Sequence, residues 1–281
     1  MTPPTASPDP RHAALRAAAT LACAWLLPLL PLLALAQAPA PAAVPATDST
    51  IAMPVAAEGQ QTPWAAAPLQ PFVARYTVLH NDRALGTATM QLQRNSADAD
   101  RWRIDLTLRG SGLARLTGLN VEQSTVFDVH DGQFRPLAQS TVKRAFLASR
   151  TTTGRYDWAS ATAQWSGDVK AARRAPVALQ PGDMSGLLIN LAVIRDAKPG
   201  QSLHYRFVDD GRVRDHAYQA ATQTESLQAG ELGYDALRVQ RVQAGGDETV
   251  IWVANGVPTP IRILQRDADG STTDLQLIEY Q

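Results

Sequence analysis

The sequence predicts a mainly β protein: an antiparallel meander curled into an incomplete barrel, with one principal α-helix packed against it. Three observations predict this class. From Phe72 onward, apolar residues recur at every second position, the period of a half-buried strand. The gaps between these runs hold Asp-Gly, Gly-Gly or Asn-Gly pairs, which tolerate the positive φ angles of tight hairpins. Only one segment, near 183–195, changes to a helical period.

Residues 102–108 show the strand pattern most cleanly. Trp102, Ile104, Leu106 and Leu108 share one face, and Arg103, Asp105 and Thr107 the other. Similar runs occupy 72–79, 85–93, 121–129, 134–145, 203–208, 236–242, 250–253, 261–264 and 273–280. Asp131-Gly132, Asp210-Gly211, Gly245-Gly246, Asn255-Gly256 and Asp269-Gly270 punctuate them. Gaps this short hold no crossover helix, so neighbouring strands run antiparallel. The runs 250–253 and 261–264 are apolar on nearly both faces, which suits strands facing a helix or a cavity. In the helical segment, Asp183 is placed to cap a helix carrying Leu187, Leu188, Leu191 and Ile194 on one stripe. Asn190 and Arg195 face elsewhere, and Pro199-Gly200 ends the helix. Glycines at 110, 112 and 118 allow a short helix or tight loop around 113–119. A β-sandwich with a helical insertion is the alternative architecture; consecutive hairpins winding around one central element favour the curled sheet.

The chain divides into three parts. Residues 1–36 read as a cleaved export signal: Arg11 and Arg16, an apolar run of 21–35, then Ala34-Leu35-Ala36 before the cut. The run is short and broken by Pro28 and Pro31, so it does not predict a membrane span, and the mature chain is expected to have none. Residues 37–70 form a Pro/Ala-rich spacer; through Pro71 the stretch holds seven prolines and eleven alanines, which favour extended backbone over a packed layer. Trp64 is the exception, an aromatic expected to dock on the body. Residues 71–281 form a single antiparallel β domain. The expected location is the periplasm.

The composition narrows function more than it names it. The 26 basic and 26 acidic residues balance, so no global field draws in nucleic acid. The one cysteine, Cys23, lies within the export signal, which leaves the mature chain no disulfide and no thiolate metal site. His80 and His130 adjoin turns. His204 and His216 fall roughly symmetrically about Asp210 and are candidate cross-strand neighbours, but no third ligand accompanies them. Gly182-Asp183-Met184-Ser185-Gly186 lacks the glycine two residues before the serine that a nucleophile elbow needs. Gly110-Ser111-Gly112 lacks the rest of a dinucleotide fingerprint. No catalytic residue, metal site or cofactor is therefore expected, and the chain reads as a non-enzyme.

The order of several local stretches is similar to one known family. Leu85-Gly86-Thr87-Ala88 follows the first hairpin; Val129-His130-Asp131-Gly132-Gln133-Phe134-Arg135-Pro136-Leu137 joins two strands; Gly182-Asp183-Met184-Ser185-Gly186-Leu187-Leu188 opens the helix. Trp252-Val253-Ala254 precedes Pro258-Thr259-Pro260-Ile261-Arg262. From about Phe72 to Tyr280 the chain resembles the bacterial family called domain of unknown function 3108. The resemblance implies an exported envelope protein without assigned activity. By analogy of architecture it implies an open half-barrel like those of periplasmic lipoprotein and lipid carriers. It carries over no catalytic residue.

The remaining candidates are large and apolar. Trp102, Phe127, Phe146, Leu187, Leu188, Leu191 and Trp252 are the expected lining of an apolar pocket between sheet and helix, with a closed core as the competing reading. The expected ligand is a lipid, an acyl chain or a lipidated partner. An envelope protein partner docking on the sheet, and an unrecognised hydrolase, are the alternatives.

Overall fold

The computed structural model describes residues 64–281 apart from 97, 99, 113–119, 146–147 and 243–246. The expected export signal, most of the expected spacer, the segment 113–119, Phe146 and Gly245-Gly246 lie outside the described residues.

All described strands belong to one antiparallel sheet in the order β8-β7-β6-β5-β4-β3-β2-β1-β14-β13-β12-β11-β10-β9. The first half runs β1 (Phe72–His80), β2 (Arg83–Arg94), β3 (Arg101–Gly110), β4 (Asn120–His130), β5 (Gln133–Ala145), β6 (Ala148–Asp157), β7 (Thr162–Gly167) and β8 (Val177–Ala178). A helix α1 (Leu188–Asp196) follows. The second half runs β9 (Ser202–Asp209), β10 (Arg212–Ala229), β11 (Leu232–Val242), β12 (Glu248–Ala254), β13 (Arg262–Arg266) and β14 (Thr272–Tyr280). The chain thus winds outward from β1 to β8 and then, past α1, back inward from β9 to β14, so that β1 and β14 meet at the centre of the sheet.

Sheet twist and strand tilt bring the two ends of the sheet together. They meet mostly through side chains. Tyr156 donates its hydroxyl to the Val208 carbonyl at 2.7 Å, and Gln139 donates to the Asp209 carboxylate. Tyr156, Ala163, Trp165, Val169, Leu179 and Val208 form one buried cluster across the seam. The free edge of β9 is satisfied by Met184, whose N–H donates to Arg206 and whose carbonyl accepts from Val208, each at 3.0 Å. The result is a nearly closed antiparallel barrel, as the hairpin pattern predicts.

α1 lies inside it. The helix packs against both β5 and β12, which are seven strands apart in the sheet, so only a central position serves. That position explains two departures from the sequence reading. Leu188, Asn190, Leu191, Ala192, Val193 and Ile194 are all buried, so the helix has no wet face for Asn190; Asn190 instead returns its amide to the Leu187 carbonyl at 3.4 Å. The helix also starts at Leu188, five residues after Asp183. Asp183 is a loop anchor: fully buried, it accepts the Gln180 N–H at 2.8 Å and the Arg206 guanidinium of β9 at 2.6 and 2.5 Å.

The polar strands β6 and β10 carry too little apolar alternation to stand out in the sequence, yet the hairpin pairing recruits them. β10 is irregular between Ala220 and Thr224. Beyond it the β10–β11 hairpin reaches β14, where a Cβ on Gly230 would collide with the Ile278 carbonyl. The run 250–253 is buried throughout: Ile251 and Val253 point inward, while Trp252 takes the outer face.

Candidate binding groove

Among the described residues, the side chains between helix and sheet are closely packed. Tyr76, Met90, Phe127, Ile104, Leu188 and Ile251 are all essentially inaccessible. Tyr76 shares its hydroxyl with Thr259 at 2.5 Å and donates to the Pro260 carbonyl at 3.0 Å; burial drives its pKa far upward.

Among the described residues, an open apolar space lies at one mouth of the barrel. It measures about 370 Å³, within the range of small-ligand sites. The last turns of α1 supply Leu191, Ile194 and Arg195; β2 supplies Leu92; the β4–β5 hairpin supplies Val129 and Phe134. Residues 66–70 and Pro258 complete the wall. The short Asp131-Gly132 turn, with φ of 50° and 73°, brings Phe134 back beneath Val129. Phe134 is fixed by an edge-on contact with Phe127, 5.5 Å between ring centres.

Arg195 is the one charged residue among the described residues of this wall, and its charge is answered locally. Its guanidinium forks onto Asp196 at 2.5 and 2.7 Å, donates to the Gly132 carbonyl at 3.0 Å, and sits 4.5 Å from the Phe134 ring centre. The hydrogen bond to Asp196 raises the Arg195 pKa, with burial opposing. Tyr205 adds a hydrogen bond to the same carboxylate at 3.0 Å. A ligand therefore meets carbon surface and a neutralised ion pair.

Of the pocket residues expected from sequence, Leu191 reaches this groove. Trp102 lies on the inner face of β3, paired with Phe127 on β4 and covered by Arg94 at 5.3 Å. Leu187 and Leu188 are packed into the core beside the helix start. Trp252 stands on the far face of the sheet, 5.0 Å beneath the Arg262 guanidinium and donating its indole N–H to Glu225. The register places it opposite Arg238 and Arg262, one residue out of phase with the inward Ile251. Sequence reasoning missed Leu92, Val129, Phe134 and Ile194, and assigned residues 66–70 to a spacer.

The histidine pair separates as well. His204 pairs with Ala217 and His216 with Tyr205, so adjacent register puts the two rings on opposite faces. His216 is buried, 4.6 Å from the Phe207 ring centre. Burial, reinforced by Arg241 and Arg214, pushes its pKa down to about 3. The unfolded chain then binds a proton that the folded one refuses. The histidine's contribution is complete above its ordinary value of 6.5 and is lost as pH falls from there toward 3. Urea melts should show His216→Gln flattening the loss of stability across that window by up to about 1.4 kcal/mol per pH unit; an unchanged slope would place the proton elsewhere. Among the described residues no group of three or more His, Cys, Asp or Glu is positioned to hold a metal ion. No described helix is long and apolar enough to cross a membrane.

Fold and site together define a helix-filled antiparallel barrel with an apolar groove at its mouth. The chain belongs to the family described as "Protein of unknown function (DUF3108)", whose model matches residues 72–276. Among solved structures the chain is similar to the β-barrel-like protein of domain of unknown function DUF1849 from Brucella abortus. The identity is 9%, with 77% of this chain and 99% of that one covered and a TM-score of 0.46. No curated protein matches.

Proposed function

We propose that this chain is a non-catalytic periplasmic binding protein that holds an apolar ligand of the acyl-chain class in the mouth groove. The supporting observation is the groove itself: about 370 Å³, walled by Leu92, Val129, Phe134, Leu191 and Ile194, with its single charge already paired to Asp196. Burying acyl methylenes there would contribute about 0.8 kcal/mol each, and no polar group of the wall needs a ligand to satisfy it. Export places such a protein where lipids and lipidated proteins pass.

Laurate binding measured by titration calorimetry tests this reading. Val129 is 41% exposed, so Val129→Glu puts a charge in the wall without entering the core. The expected result is laurate affinity lowered at least about tenfold, with the melting temperature within a few degrees of wild type. Equal affinities in the two proteins would remove the groove as the site.

A partner-docking module is the second reading, favoured by Leu232, Ile278 and Tyr280, which are exposed where the β10–β11 hairpin reaches β14. Crosslinking in cells from these positions would yield one dominant envelope protein if this surface is used.

A further inference from the structure

The groove is not walled by the barrel alone. Residues 66–70 close one side of it, and they belong to the Pro/Ala-rich stretch that sequence assigns to a spacer. The seat is specific at its start. The Ala65 N–H donates to the Asn255 side-chain oxygen at 2.8 Å, and the Ala65 carbonyl accepts from the Gly256 N–H at 3.4 Å. One residue of the strap thus bonds the β12–β13 turn twice, through the Asn255 side chain and the Gly256 backbone. From there Ala67 and Leu69 turn inward and are half-buried, while Ala66, Pro68 and Gln70 remain exposed. Alternate side chains in an apolar channel and hydrogen bonds from the strap's main chain to a turn are elements of peptide recognition.

The seat is also weak. Among the described residues its two hydrogen bonds are surface ones, and the second is long. The Trp64 indole N–H is buried without a partner among the described residues, which is a cost of holding the strap down. After Pro71 the chain is locked: Val73 and Gln281 exchange both backbone hydrogen bonds, at 2.9 and 3.0 Å. A firm anchor at Val73 followed upstream by a lightly held, proline-stiffened strap is the construction of a displaceable segment.

We propose that the mouth groove is a peptide-compatible channel whose resident occupant is the chain's own 64–70 strap, so that an apolar ligand gains full access by displacing it. This rests on the reading of the groove as a binding site and adds its regulation: affinity is set by competition between ligand and strap. The strap's neighbours upstream share its alanine- and proline-rich composition, so a free peptide of the strap sequence is itself a ligand for a groove whose strap has been released.

The test uses the chain in three forms: wild type, Asn255→Ala, which removes the acceptor for Ala65, and Leu69→Ser, which takes a half-buried apolar side chain of the strap out of the channel without adding a charge. Hydrogen exchange at Ala65, Ala66 and Ala67 reads strap seating directly, and laurate titration reads access. Wild type should protect the Ala65 amide against exchange, and both variants should lose that protection. Laurate should bind both variants about five- to tenfold more tightly than wild type, the change expected for removing one competing hydrogen bond or apolar contact. A synthetic peptide of residues 64–71 added in trans should reverse the gain. Ala65 exchanging in wild type as fast as a free peptide overturns the proposal, as does laurate affinity identical in all three chains. Laurate binding to none of them, with Ala65 protection lost only in the variants, keeps the strap as occupant and sinks the acyl-chain reading instead.

Discussion

Leu188→Asp is expected to leave the protein without fixed tertiary structure at neutral pH. Leu188 is fully buried at the first turn of α1, at the centre of a barrel that closes around that helix. The substitution removes about 2–5 kcal/mol of packing and places an unpaired carboxylate where no water reaches. Together these approach or exceed the whole stability of an ordinary domain, about 5–15 kcal/mol. Near-ultraviolet circular dichroism should collapse while the far-ultraviolet β signal is partly retained. Lowering the pH should restore some structure, because a protonated carboxyl is cheaper to bury. The Val129→Glu chain, altered on an exposed position, serves as the control that folds. A cooperative, wild-type-like melt for Leu188→Asp would mean that α1 does not fill the barrel.

Asp183→Ala should cost about 3–5 kcal/mol, the penalty for breaking a buried ion pair from one side. The Asp183 carboxylate is inaccessible, and three donated hydrogen bonds converge on it from Gln180 and Arg206. Removing it takes the carboxylate from the Arg206 guanidinium, which keeps only the Ala178 carbonyl at 3.4 Å, and leaves the Gln180 N–H without its acceptor. The neighbouring residue, Met184, satisfies the open edge of β9, so the loss should spread to the barrel seam. Hydrogen exchange at Val208 should accelerate along with global unfolding in urea. Asp183→Asn retains an acceptor for Gln180 and should fall between the two. A midpoint for Asp183→Ala within about 1 kcal/mol of wild type would show that the seam is held by Tyr156 and Gln139 alone.

These two positions also mark what the sequence could and could not reveal. Period-two alternation is a local property, and it was legible wherever the inner face is greasy, as in Trp102, Ile104, Leu106 and Leu108. β6 puts Thr152, Gly154 and Tyr156 inward, too polar a row to advertise a strand. Turn chemistry was legible in Asp131-Gly132 and Asp210-Gly211, where all four residues take positive φ. The same turn decides the histidines: it pairs Asp209 with Arg212, a register one residue away from a pairing of His204 with His216, and one residue reverses the face. Asp183 has the composition of a helix cap, but what distinguishes a cap from a buried anchor is Arg206, twenty-three residues later. Trp252 is as apolar as its neighbours, and only the pairing with Arg262 shows that it faces outward.

The groove was the least legible feature for a physical reason. It is assembled from β2, the β4–β5 hairpin, the end of α1, the β12–β13 loop and residues 66–70, so no stretch of sequence contains it. The helix that seemed placed to roof a cavity instead fills the barrel, and the free space is displaced to the mouth. Leu69 and Trp64, apolar residues within a Pro/Ala-rich tail, were the available signal that this tail touches the body.

The most direct measurement is a set of intermolecular nuclear Overhauser effects between ¹³C-labelled laurate and the methyl groups of the full chain. The binding account predicts contacts to Leu92, Val129, Leu191 and Ile194, with none to Leu188 in the filled interior. Contacts confined to Leu232 and Ile278, or a complete absence of contacts at saturating laurate, would contradict it.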